Sequence, residues 1–152
     1  MNLSDILHVE CISLDVPPSD KQDVIQHMVE LAAKSGKVSS TECLLESVMS
    51  REKIQTTGIG HGMAIPHAAA EGIKGLVLSL GVSKEGVDYA SLDGKPVHLI
   101  FLLAGEPRLQ TSFLSILSKI SRFFKREEFR RQILDAADGQ AILSFIQSRE
   151  DN

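Results

Sequence analysis

Between positions 56 and 69 the chain reads Thr56-Thr57-Gly58-Ile59-Gly60-His61-Gly62-Met63-Ala64-Ile65-Pro66-His67-Ala68-Ala69, a run that fits no ordinary turn. His67 is the residue in it with chemistry of its own. A neutral imidazole, with an ordinary pKa of about 6.5, is a nucleophile at physiological pH and can take a phosphoryl group covalently. The resulting phosphoramidate keeps a high transfer potential, because its nitrogen leaves readily once protonated. Pro66 fixes its own φ and pushes Ile65 toward extended geometry, so His67 is presented from a stiffened backbone. Gly58, Gly60 and Gly62 alternate along the run and permit close backbone approaches that a β-carbon would block. Such glycines suit either a phosphate neighbour or a plain bend.

Other chemistries fit less well. His61 and His67 match neither the common zinc spacings nor an i, i+4 helical pair, and no third ligand accompanies them, so no metal site is expected. The glycines lack the Gly-Lys-Ser/Thr ending that grips a nucleoside triphosphate. His8, His27 and His98 lie away from the glycine run and read as structural residues.

The elements that must position His67 follow from periodicity. Glu10-Cys11-Ile12-Ser13-Leu14 reads as an edge strand before the Pro17-Pro18 break. Ser19 with Gln22 forms a capping-box pattern ahead of a helix whose apolar face carries Val24, Met28 and Leu31, closed by Gly36. Ser39 with Glu42 repeats the pattern, and Leu44, Leu45, Val48 and Met49 mark a second helix ending near Arg51-Glu52-Lys53. Residues 76–82 and 97–104 are short and almost continuously apolar, as strands covered on both faces are, with a turn at Asp93-Gly94-Lys95-Pro96. Gly105-Glu106-Pro107 ends the second of them. Phe113, Leu114, Leu117, Ile120 and Phe124 keep a helical period, and shorter helices follow over 126–136 and 139–147. Helices before and after a strand-rich middle predict a layered α/β fold, with residues 1–152 forming a single domain.

Composition narrows the function further. A 43% hydrophobic and 24% charged chain can collapse into an ordinary globular core, and a net charge of −4 supplies no field that draws the chain to nucleic acid or an anionic membrane. No apolar run approaches the roughly 20 residues that span a bilayer, so no membrane insertion is expected. Cys11 and Cys43 have no CxxC spacing and read as packing residues of a reduced, cytoplasmic setting.

Taken together, Thr57-Gly58-Ile59-Gly60-x-Gly62-x-Ala64-Ile65-Pro66-His67 resembles the active-site signature of the fructose/mannitol-type IIA domains of bacterial phosphotransferase systems, closest to the stand-alone nitrogen-regulatory branch. Arg51-Glu52-Lys53 stands at that family's usual spacing before the histidine, and Leu117-Ser118-Lys119-Ile120-Ser121-Arg122 matches in the later helix, so the similarity covers nearly the whole chain. The resemblance implies a mixed β-sheet flanked by helices and a phosphoryl group received on His67 from an HPr-type phosphocarrier protein. It implies no cofactor. Arg51 corresponds to the arginine that the family places beside the active histidine, where its planar fork suits phosphate oxygens. The alternative for Arg51 is a solvated residue closing its helix.

The family often carries a second histidine on the helix after the last long strand. That position falls here on Phe113, or on Ser112 if the alignment shifts by one. Phenylalanine can neither donate a hydrogen bond nor carry charge. His61, where relatives commonly have asparagine, either supplies the missing imidazole or faces solvent. Lys119, Arg122, Lys125, Arg126, Arg130 and Arg131 place six of the chain's 16 basic residues within 13 positions, as a docking rim for an acidic partner or as a solvated helix face. Two functions stay open: a carrier passing phosphate to the IIB domain of a sugar permease, and a regulatory module whose phosphorylation state controls protein targets. A chain without attached permease or carrier domains leans toward regulation.

Overall fold

The structure is a computed structural model and describes residues 1–150. A short helix α1 (Leu3–Ile6) leads into strand β1 (Leu7–Ser13), followed by helices α2 (Lys21–Ala33) and α3 (Thr41–Ile54). Three short strands come next: β2 (Gly58–Gly60), β3 (Met63–Ala64) and β4 (His67–Ala69). The long strands β5 (Leu76–Val87) and β6 (Val97–Gly105) form the sheet centre. A 3-10 turn at Pro107–Leu109 then opens α4 (Gln110–Phe123), with α5 (Glu127–Leu134) and α6 (Gly139–Glu150) completing the described chain.

The sheet is mixed, in the order β1-β5-β6-β3-β2, with β4 also pairing β6. Strand β1 runs parallel to β5, β5 and β6 are antiparallel, and β3 and β4 both run parallel to β6 along one edge. Alternation along the central strands gives each face its own core. Leu78, Leu80, Leu99, Phe101 and Leu103 pack with α1, α4, α5 and α6. Val77, Ile100, Leu102 and Ala104 pack with α2 and α3. At Gly81 a β-carbon would lie 2.6 Å from Met28 Sδ and 2.7 Å from Val16 Cγ2, so the close seat of α2 on β5 depends on the missing side chain.

Several sequence expectations need correction. The caps are Asp20, whose side chain accepts from Asp23 N–H, and Ser40, which accepts from Cys43 N–H, each one residue later than the capping-box patterns at Ser19 and Ser39. Strand β5 runs to Val87 through the exposed residues Lys84 and Glu85, and its end returns to the core at Val87, which pairs with Val97. Cys43 is exposed on α3; only Cys11 is buried.

Candidate functional site

Strands β3 and β4 are two pieces of one sheet edge interrupted at Ile65-Pro66. Ile65 N–H donates to the Thr57 carbonyl at 3.0 Å, and the Pro66 carbonyl accepts from Leu103 N–H at 3.1 Å. Proline has no N–H to pair, so the break leaves no orphan donor there. His67 then pairs in register with Leu103, a residue of the core that contains α4. Its ring accordingly meets Phe113 of α4 edge to face, with centroids 5.9 Å apart.

The half-buried His67 imidazole has its Nδ1 2.7 Å from the Ile65 carbonyl oxygen. A carbonyl only accepts, so this contact selects the tautomer with the proton on Nδ1 and the lone pair on Nε2. Burial is the chief influence lowering the His67 pKa below its ordinary value; the bond to Ile65 and the Glu52 carboxylate oppose it, and the nearby Arg51 charge lowers it further. The ring is therefore neutral and nucleophilic at pH 7. Arg51 also donates from Nη1 to the Gln55 carbonyl at 2.9 Å, closing the C-terminus of α3. Arg51 thus caps its helix, and its charge also acts on the His67 ring.

One prediction follows from these signs. The His67 ring should titrate with a midpoint below 6.5 by NMR, and Arg51→Gln should raise that midpoint by removing a positive charge. Phosphoryl acceptance should correspondingly stay level from pH 8 down through about 6.5 and fall only below it. A midpoint at or above 6.5, or one unmoved by Arg51→Gln, would contradict this electrostatic picture.

Beneath Arg51 lies a buried polar cluster that the sequence reading missed. The Glu52 side chain is only 2% exposed and pairs with Lys21 Nζ at 2.8 Å. It accepts from Thr57 N–H at 3.2 Å, from the Thr57 hydroxyl by a short contact, and from the Tyr89 hydroxyl at 2.9 Å. Burial, then the Glu52 charge, push the Tyr89 hydroxyl far above its usual pKa, so it remains a donor. Lys21 Nζ also sits 4.6 Å from the centroid of the Tyr89 ring. A continuous path results: Glu52 holds Thr57, the Thr57 carbonyl holds Ile65, and the Ile65 carbonyl holds His67. The signal was present in the helix pattern. Leu44, Val48 and Glu52 are the buried residues of α3 and recur at every fourth position, so Glu52 stands on an apolar face.

The glycines and His61 do something other than line this site. Gly60, His61 and Gly62 have φ values of 97°, 58° and 74° and form the tip of the β2–β3 hairpin. Met63 pairs with Leu99 and His67 with Leu103, so about four residues of β6 separate them, roughly 13 Å at ~3.3 Å per residue. His61 lies beyond Met63 and is exposed, so the structure does not bring it to His67. Left-handed backbone is tolerated by histidine and asparagine more than by most residues, which accounts for the residue type at that place. Gly58 has a different reason: its β-carbon would lie 2.9 Å from Ser91 Cα. Thr57 is drawn into the Glu52 cluster, Pro66 makes the strand break, and Ser112 is half-buried on the first turn of α4 beside Phe113.

Comparison with known proteins completes the picture. The family model "Phosphoenolpyruvate-dependent sugar phosphotransferase system, EIIA 2" matches residues 5–149. The chain is 37% identical over 150 residues to the fructose-specific EIIABC component of Bacillus subtilis, covering 99% of this chain and 24% of that protein. It thus spans about a quarter of that relative's length. The fructose-specific EIIA component of Haloferax volcanii is 33% identical, with 95% of this chain and 94% of the relative covered. Among solved structures, the nitrogen regulatory protein IIA-Ntr from Neisseria meningitidis superposes with a TM-score of 0.88 at 27% identity, covering 95% of this chain and 98% of that one.

Proposed function

Starting from a chain that belongs to the EIIA 2 family of the phosphoenolpyruvate-dependent sugar phosphotransferase system, we propose that it is a phosphoryl carrier whose acceptor atom is Nε2 of His67. The observation that carries this reading is the contact of His67 Nδ1 with the Ile65 carbonyl, which leaves the lone pair on Nε2. In the proposed step Nε2 attacks the phosphorus of a donor phosphohistidine on an HPr-type carrier. The donor's P–N bond breaks, and its imidazole leaves with the bonding pair. The His67 Nδ1 proton stays on the Ile65 bond, so the product ring is cationic and ready to leave in the next transfer. Arg51 is proposed to pair with the arriving phosphoryl oxygens. Ile54 and Leu114 are large apolar residues, 81% and 55% exposed, three positions after Arg51 and one after Phe113. Exposed apolar residues of this kind suit docking of a protein donor.

The test is incubation with an HPr-type carrier and its phosphate donor, followed by mass mapping. A single acid-labile, base-stable phosphoryl group on His67 is expected. A modification on any other residue would overturn the assignment.

For the next step, the regulatory reading is supported by the close superposition on IIA-Ntr. The higher identities to fructose-specific proteins favour a second reading, in which the phosphoryl group passes to the IIB domain of a fructose-type sugar permease. Transfer from the phosphorylated protein to an isolated fructose-type IIB domain within seconds would select the second. No helix among the described residues is long and apolar enough to cross a membrane. Either role is proposed to operate in the cytoplasm, where an HPr-type donor is found.

Phe113 should limit the phosphorylated state. A histidine in its place offers a charge-assisted bond to the phosphoryl oxygens, and such bonds contribute about 1.5–3 kcal/mol. Phe113→His is therefore expected to shift the phosphoryl equilibrium with a defined donor toward this protein by on the order of tenfold, after some loss of water exclusion by the phenyl ring. Because His61 lies at the distant hairpin tip, His61→Ala should leave that gain unchanged. An equilibrium unmoved by Phe113→His would make Phe113 a packing residue only.

A further inference from the structure

At the end of α4 remote from Phe113, a cavity of about 320 Å³ opens between α1, α4, α5 and α6. Its lining includes Lys119, Arg122, Arg126 and Arg149, together with Phe123 and Phe129. Nine residues separate Phe113 from Arg122, about 13 Å along the helix axis at ~1.5 Å per residue, so the cavity is distinct from the His67 site.

The charge balance of this cavity is unusual for a chain of net charge −4. Four cationic side chains line it, and among the described residues none of the four forms an ion pair with a carboxylate. Lys119 Nζ donates to the Met1 carbonyl, and Arg122 Nε lies 3.5 Å from the Ser118 carbonyl. Among the described residues the one carboxylate in the lining, Glu150, accepts from the N–H groups of Leu3 and Ser4 and is thereby engaged with the start of α1.

The guanidinium groups are also held in place. Arg126 and Arg149 have Cζ at 5.0 Å and 5.8 Å from the Phe129 ring centroid, and Arg149 lies 5.5 Å from that of Phe145. Stacking on an aromatic face leaves the N–H edges of a guanidinium available, and a fixed fork loses less entropy when it closes on a phosphate. Phe123 is half-buried and adds an apolar surface beside them.

We infer that this cavity is a binding site for a small organic phosphate monoester, with Arg126 and Arg149 gripping the phosphate, Lys119 and Arg122 supplying further positive charge, and Phe123 meeting the organic part. The size of the cavity favours a compact ligand over an extended polymer. Four cations with no carboxylate partner among the described residues suit the nearly doubly charged phosphate group of such an ester at neutral pH.

The probe is glucose 6-phosphate, titrated into isotopically labelled, unphosphorylated protein at physiological ionic strength, with glucose and inorganic phosphate as separate controls. Saturable binding in the submillimolar range is expected. The amide shifts should concentrate on residues 119–129 and 149, glucose should produce none, and phosphate alone should bind several-fold more weakly. Arg126→Gln combined with Arg149→Gln should weaken glucose 6-phosphate at least tenfold, whereas His67→Ala should leave its affinity unchanged. Both arginines are exposed, and the wild-type shift map tests the site without relying on the variant's folding. Absence of saturable binding overturns the inference, as do shifts confined to the Arg51–His67 region or an affinity unaltered in the folded double variant. Saturable binding of an acidic polypeptide at this patch without any of glucose 6-phosphate would also overturn it, making the surface a protein dock.

Discussion

Alanine in place of His67 is expected to abolish phosphoryl acceptance while leaving the fold intact. The substitution removes the proposed acceptor nitrogen, and no second imidazole replaces it: His61 sits at the far hairpin tip and His98 is engaged at Nδ1 with the Ser83 carbonyl at 2.9 Å. The loss should be complete within detection, several orders of magnitude in rate, because covalent catalysis has no partial substitute for its acceptor atom. The structural cost should be small. His67 is only half-buried, its side chain bonds locally to Ile65, and the β4 backbone pairing with β6 survives truncation. Incubation with the carrier and donor, read by intact mass beside a thermal unfolding curve, tests both halves. Undiminished labelling of a folded His67→Ala protein would end the assignment.

The second large effect is expected at Glu52. Glu52→Ala leaves the Lys21 charge without its carboxylate and strips a partner from Thr57 N–H, the Thr57 hydroxyl and the Tyr89 hydroxyl. Removing one member of a buried ion pair costs about 3–5 kcal/mol, because the group left behind is desolvated and uncompensated. The Thr57–Tyr89 hydroxyl contact at 3.0 Å and access of Lys21 to solvent soften this, so the lower end of that range is expected. That is still a large part of the ~5–15 kcal/mol that holds a typical domain together. For a chain of this size it corresponds to a fall in Tm on the order of 10 °C. The functional consequence should reach beyond stability. Thr57 connects Glu52 to the carbonyl that holds Ile65, so at a temperature where the variant is folded, phosphoryl acceptance should slow and the Nδ1–H signal of His67 should broaden or shift. Glu52→Gln keeps the shape and some of the hydrogen bonds and should show a smaller loss in both measurements. A Glu52→Ala protein with wild-type unfolding and wild-type acceptance would reduce the cluster to an incidental arrangement.

These two positions mark what was legible in the sequence and what was not. His67 could be singled out directly, because a histidine following a proline is a local feature: the residue type supplies the chemistry proposed for it and the preceding ring constrains the backbone. Arg51 could be read from its spacing. The long helices and the strands β5 and β6 were legible because apolar periodicity persists over enough residues to identify the element, and their boundaries erred by a residue or a few where caps and solvent-facing ends decide. The short strands β2, β3 and β4 have no such length. β3 and β4 exist as strands because β6 provides an edge on which they pair, and β2 because β3 in turn does.

The glycines and His61 show the limit from the other side. Close spacing along the chain suggested one site, but a hairpin and two collinear strand segments carry Gly60, His61 and Gly62 about 13 Å or more along β6 from His67. Sequence proximity fixes contour length, and strand direction decides which end of it meets His67. Glu52 was hidden for the opposite reason. Its partners Lys21, Thr57 and Tyr89 are scattered along the chain, and a carboxylate on an apolar helix face signals only that something must compensate it. The histidine proposed as acceptor, the proline before it and the arginine at family spacing were legible in the sequence alone. The edge contact with Phe113, the exclusion of His61 and the buried cluster around Glu52 were decided by tertiary structure, because each depends on groups that only the assembled sheet and helices bring together or hold apart.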